Sequence, residues 1–128
     1  MSARGREKKS NTESSQTYLP LKPVWFHILL TLAGGVRHGY AIRQEVEART
    51  DGAVTLWPTT LYGALSHLEA EGMIEETPGE AGPDDEIQRR FYRLTRAGAA
   101  VLAAETDRLA ELVRQSRVIQ RRSRPREA

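Results

Sequence analysis

Apolar residues return at helical intervals through the first half of the chain, and each run closes on a turn signal. Trp25, Ile28, Leu29 and Leu32 follow the i, i+3, i+4, i+7 spacing of one buried face. Pro23 suits the first turn of that helix, and Gly34-Gly35 ends it. A second helix is predicted from about His38-Gly39 to Arg49, with Ala41, Ile42 and Val46 inward and Arg43, Glu45 and Glu47 outward. Thr50-Asp51-Gly52 stops it. Ala53 to Leu56 reads as a short extended link, after which Pro58 opens a third helix with a narrow stripe of Leu61, Ala64, Leu65 and Leu68. Gly72 is its stop.

Beyond Gly72 the period shortens to that of strands. Met73 to Thr77 and Ile87 to Leu94 flank Pro78-Gly79-Glu80-Ala81-Gly82-Pro83-Asp84-Asp85, so a β-hairpin with a long tip is expected. Thr95 is placed to cap a last helix, along which Leu102, Leu109, Leu112 and Ile119 recur at about 3.5-residue spacing. Val113 adjoins that stripe and Glu105 interrupts it. About 25 residues in this helix span ~37 Å, and a lone domain cannot cover the whole stripe. The predicted fold is mainly α with a small β-hairpin. Residues 19–94 form a winged helix-turn-helix and 95–120 a long dimerisation helix, with a disordered basic tail at 1–18 and a basic tail at 121–128.

Composition narrows the chemistry. The 128 residues, 39% of them hydrophobic, suit one compact domain with a small core. Without cysteine there are no disulfides, thiolate zinc sites or cysteine nucleophiles. The longest apolar run, Val24 to Ala33, contains His27 and falls far short of the ~20 residues of a membrane span. No signal-peptide pattern opens the chain, so a cytoplasmic protein without a membrane partner is expected. Net charge is only +2. Its distribution matters more, because Arg4, Arg6, Lys8 and Lys9 crowd one end and Arg114, Arg117, Arg121, Arg122, Arg124 and Arg126 the other. Such ends are either solvated tails or arms that touch phosphate.

Enzymatic chemistry finds no constellation here. His27, His38 and His67 are scattered, no H-E-x-x-H or carboxylate cluster occurs, and Gly34, Gly35 and Gly39 match no phosphate loop. His38 reads as a helix-start or packing residue and His67 as a surface one. No catalytic residue, metal site or cofactor is expected. The third helix is more informative. With Leu61 at zero and 100 degrees per residue, Leu65 and Leu68 fall within ~40 degrees of it. Thr59, Gly63 and Ser66 then occupy the opposite face, with Tyr62 and His67 on its two flanks and Thr60 at the helix start. A small polar face free of acids suits insertion into the major groove, whereas an ordinary solvated face carries Lys and Glu. Thr59, Thr60 and Tyr62 are placed for phosphate. No outward Arg, Asn or Gln offers bidentate base readout, so DNA shape and half-site spacing carry part of the specificity.

Three ordered motifs add a resemblance. They are His38-Gly39-Tyr40-Ala41-Ile42, then Thr60-Leu61-Tyr62-Gly63-Ala64-Leu65 with Leu68-Glu69-Ala70-Glu71-Gly72-Met73-Ile74, and finally Arg90-Phe91-Tyr92-Arg93-Leu94-Thr95-Arg96-Ala97-Gly98. From about Val24 to Leu112 the chain resembles the PadR-type transcriptional regulators, in their small subgroup with a single C-terminal dimerisation helix. The resemblance implies a winged-helix homodimer, usually a repressor, that binds operator DNA and responds to a small-molecule effector. The DNA-contacting set is then Thr59, Thr60, Tyr62, Gly63, Ser66, His67 and Tyr40, with Arg89 and Arg90 at the wing base. The dimerisation set is Leu102, Leu109, Leu112, Val113 and Ile119. Two departures stand out. Thr59 replaces a frequent glycine, and the wing tip carries Glu80, Asp84, Asp85 and Glu86, which phosphate repels. Some relatives hold flat aromatic drugs between tryptophans of the dimerisation helix, but no aromatic follows Tyr92. An effector site here would use Trp25, Phe26 or Trp57, although Trp25 at helical spacing reads as core. The rival reading is a winged-helix adaptor for protein contacts, which predicts no salt-sensitive DNA affinity.

Overall fold

The computed structural model describes residues 15–78 and 90–124. Its elements in chain order are α1 (Pro23–Ala33), β1 (Arg37–His38), α2 (Gly39–Arg49), α3 (Pro58–Ala70), β2 (Ile74–Thr77), β3 (Phe91–Leu94) and α4 (Arg96–Ser123). The order is helical with a small sheet, as the patterning predicts. Ala53 to Leu56 forms a connection without strand pairing. Of the second predicted strand, 87–89 lies outside the described residues, as do the acidic tip and Arg89.

Local chemistry sets each helix end. His38 Nδ1 accepts the Ala41 N–H at 3.1 Å, so this histidine is the N-cap of α2. Past α3, Gly72 takes φ 75° while Met73 N–H reaches Leu68 O at 2.9 Å and Gly72 N–H reaches Glu69 O at 3.0 Å. Those two bonds complete a Schellman stop, and the left-handed φ is why glycine stands there.

Two features lay beyond the sequence patterning. The sheet has a third strand, because Arg37 and His38 pair antiparallel with Tyr92 and Phe91, giving the order β1-β3-β2. A two-residue strand has no periodicity to read and exists only through its partner. Folded structure also begins earlier than Leu19. Residues 15–17 are helical, Ser15 is buried, and Tyr18 Oη donates to Glu71 at 2.7 Å, which holds the phenol above its ordinary pKa.

One core joins all the helices. Ile28, Leu29, Ile42, Val46, Leu61, Leu65, Leu68, Met73 and Ile74 are buried together with Tyr92, Val101 and Leu102. Trp25 packs against this core while half-buried. Leu102 therefore belongs to the interior of its own chain, which removes it from the exposed apolar stripe of α4. Glu105, the residue that interrupts that stripe, is 2% exposed. Its carboxylate accepts Leu21 N–H at 2.8 Å and faces Arg108, which holds its pKa below the ordinary value. An acid in the stripe is thus a tie between α4 and the segment entering α1.

The joint between α3, the sheet and α4 is tightest at Gly98. A Cβ built there would stand 2.0 Å from Met73 O. Thr95 braces the same point, donating its hydroxyl to Gly72 O at 2.6 Å, accepting Gly98 N–H at 3.0 Å, and donating its own N–H to Met73 O at 3.0 Å. Alanine gains up to about 1 kcal/mol in helix propensity over glycine, but overpacking against backbone costs about 1 to 3 kcal/mol and wins. Gly98→Ala is expected to lower unfolding stability by about 2 kcal/mol in urea titration, and an unchanged midpoint would show that the joint is not close-packed.

Candidate nucleic-acid interface

Helix α3 presents two sharply different sides. Leu61, Ala64, Leu65 and Leu68 are buried, while Thr59, Thr60, Tyr62, Gly63, Ser66 and His67 are exposed. The first turn contains no acid, Pro58 occupies the helix start, and no side chain caps it. Free N–H groups at the positive end of the helix therefore adjoin the Thr59 and Thr60 hydroxyls.

The flanks of this face lean on different neighbours. Tyr62, 52% exposed, lies against Gly39 so closely that a Cβ on Gly39 would sit 3.3 Å from its ring and hydroxyl. Glycine in the His38-Gly39-Tyr40 motif thus makes room for Tyr62. Tyr40, 57% exposed, stacks on the His38 ring at 6.4 Å with 4° between planes, and His38 meets Phe91 edge-on. On the other flank His67 stacks on Trp25 at 6.2 Å, with Lys22 Nζ over the indole at 5.4 Å. The two tyrosines share the α2 flank, whereas His67 belongs to the α1 side.

At the wing, Arg90 is exposed and 3.7 Å from Glu76, while Arg93 is matched by Glu75, its cross-strand neighbour. Cross-strand acids therefore offset these arginines. On α4 the apolar residues left exposed are Leu109, Leu112, Val113 and Ile119. A cavity of about 350 Å³ lies where the N-terminal segment crosses the α3–α4 joint, lined by Tyr18, Glu71, Met73, Arg96, Ala97 and Val101 among others. Trp25, Phe26 and Trp57 do not line it. Among the described residues no group of three or more His, Cys, Asp or Glu can hold a metal, and no helix is long and apolar enough to cross a membrane.

Comparison with known proteins assigns this arrangement. The model of the transcriptional regulator PadR-like family matches residues 28–104. The chain belongs to the PadR-like family. That span carries the second half of α1, both helices of the tyrosine flank, the sheet and the start of α4. The transcriptional regulator Rv3488 of Mycobacterium tuberculosis is 36% identical over 92 residues, covering 72% of this chain and 80% of that protein. A transcriptional regulator of Clostridium thermocellum, Cth-833, superposes with TM-score 0.58 at 30% identity over 79% of this chain and 90% of its own. Bacillus subtilis PadR in complex with operator DNA shares the fold, with TM-score 0.58 and 24% identity over 66% of this chain and 47% of that one. PadR-like proteins are transcriptional regulators rather than enzymes, and this chain is one of them.

Gly63 remains to be explained within the monomer. A Cβ there would meet nothing within 4 Å, so packing does not require glycine in the middle of α3. Gly63→Ala is expected to raise unfolding stability by about 0.5 to 1 kcal/mol through helix propensity. A loss of stability in the same urea titration would show that the space is not open.

Proposed function

We propose that this PadR-like regulator binds double-stranded operator DNA sequence-specifically through the outward face of α3. The observation that carries the reading is the face itself: exposed Thr59, Thr60, Tyr62, Gly63 and Ser66, no acid in the first turn, and glycine where no packing demands it. A residue without a Cβ lets the helix backbone approach a groove closely. The tyrosines and threonines then meet phosphate, while Arg89 and Arg90 are the wing contacts in the same reading. The operator-bound Bacillus subtilis protein shares the fold.

The acting species is a homodimer. Leu109, Leu112, Val113 and Ile119 are 36% to 60% exposed along one stretch of helix, a stripe that a second copy can cover. Two α3 helices related by a two-fold axis then read an inverted repeat with half-site centres about 34 to 36 Å apart. In the cytoplasm such a dimer represses by occupying promoter DNA. The cavity beside the α3–α4 joint supports effector control, because a small molecule seated there touches Glu71, the residue that ends the reading helix, and the first turns of α4 at Arg96, Ala97, Ala100 and Val101.

The protein-adaptor alternative is separated by one titration. Tyr62→Ala is expected to weaken binding to a selected duplex about tenfold, the worth of a hydrogen bond to a charged group, while the variant stays folded and dimeric by circular dichroism and light scattering. Unchanged affinity, or a monomeric mass for the parent protein at micromolar concentration, contradicts this reading.

A further inference from the structure

The reading face of α3 holds no arginine, yet the helix beside it does. Arg43 lies on α2 three residues after Tyr40, so the two share a helix face. Its guanidinium sits over the Trp57 ring, 5.7 Å from the centroid. Trp57 immediately precedes α3 and is 64% exposed, which places a large indole beside Thr59 and Thr60 at the end of the proposed reading helix.

Two observations suggest that this pair is waiting for an anion. Arg37, Arg90, Arg93, Arg108 and Arg114 each face a carboxylate, whereas Arg43, like Arg49, Arg96 and the arginines at the end of α4, has no ion pair among the described residues. Glu47 stands one turn further along α2, but it accepts from Thr55 Oγ1 at 3.5 Å instead. Arg43 Nε is also enclosed without a hydrogen-bond partner. An enclosed donor leaves the outer guanidinium nitrogens as the groups able to bind, and stacking on an indole fixes the plane in which they point.

We infer that Arg43 is a phosphate contact of the DNA complex, and that Trp57 is the positioning residue that holds its guanidinium flat at the start of α3. The contact rests on the proposed DNA reading and adds to it a positive group absent from α3 itself. It comes from the helix flanking the groove, so it orients the protein on the duplex without reading sequence. The chain places Tyr40, Tyr62, Trp57 and Arg43 along one border, with Tyr62 against Gly39 and Trp57 against Arg43.

The test uses the full chain and two labelled duplexes of about 30 base pairs, one recovered by selection from a random pool and one of unselected mixed sequence, titrated across salt. Arg43→Gln is expected to weaken both by about fivefold near physiological salt, lower the salt slope by about 0.9, and leave the ratio between duplexes unchanged. Arg43→Lys keeps the charge and is expected to keep the parent slope. Trp57→Ala combined with Arg43→Gln is expected to cost less than the product of the single effects, because both act through one contact. Thermal melting of each variant separates folding loss from contact loss. A parent-like slope for Arg43→Gln, a Lys variant that loses the slope, or a collapsed ratio between duplexes overturns the phosphate contact. Salt-dependent binding by the parent in those cases leaves the DNA reading standing, whereas a parent that binds neither duplex sinks both.

Discussion

The structure turns on the absence of a side chain at Gly98. The helix that carries the exposed apolar stripe starts against Met73 O with no room for a Cβ, and Thr95 bonds Gly72, Met73 and Gly98 at the same place. Gly72 is also where α3 stops. The end of α3 and the start of α4 are therefore joined directly, through the Thr95 hydrogen bonds and the Gly98 contact. In the proposed dimer that joint would set the angle and separation of the two α3 helices, on which the spacing of DNA half-sites depends. Glu105 repeats the logic one level up, because its buried carboxylate ties α4 to the segment that enters α1.

Charge is distributed to match. Cross-strand acids engage Arg90 and Arg93 on the wing, and on α4 the Arg114 guanidinium holds the Glu111 carboxyl down to a pKa of about 2. Exposed pairs of this kind contribute little stability, but they reduce the local positive field. What remains around α3 is polar and aromatic: hydroxyls, two tyrosines, an indole and the Arg43 guanidinium. In the proposed complex such a surface would position DNA by contact geometry more than by bulk attraction, consistent with a chain whose formal charge is only +2.

The helices were legible in the sequence because each has its own period and its own stop: Pro23 and Gly34 for α1, Thr50-Asp51-Gly52 after α2, Pro58 and Gly72 around α3. The exposed side of α3 followed from the same arithmetic, since burying Leu61, Leu65 and Leu68 turns Thr59, Gly63 and Ser66 outward. What stayed hidden depends on partners distant in sequence. β1 exists only because β3 pairs with it, and Gly39 is glycine because Tyr62, twenty-three residues on, needs its space. The burial of Leu102 and of Glu105 stayed hidden for one reason. The heptad count runs straight through the point where α4 leaves its own core, and only the packed structure shows Leu102 and Glu105 on the inner side of that point and Leu109 on the outer. Arg43 and Trp57 fall in the same class, as a contact between helices that periodicity along either one does not show.

In the proposed dimer two α3 helices, set at a fixed separation by the Gly98 joint, read DNA as a pair. The test is selection of bound fragments from the source genome, followed by footprinting of the strongest. An imperfect inverted repeat with half-site centres one helical turn apart, protected on one face of the duplex, is expected. Bound fragments without two-fold symmetry, or no salt-sensitive binding to any fragment, would contradict reading as a pair.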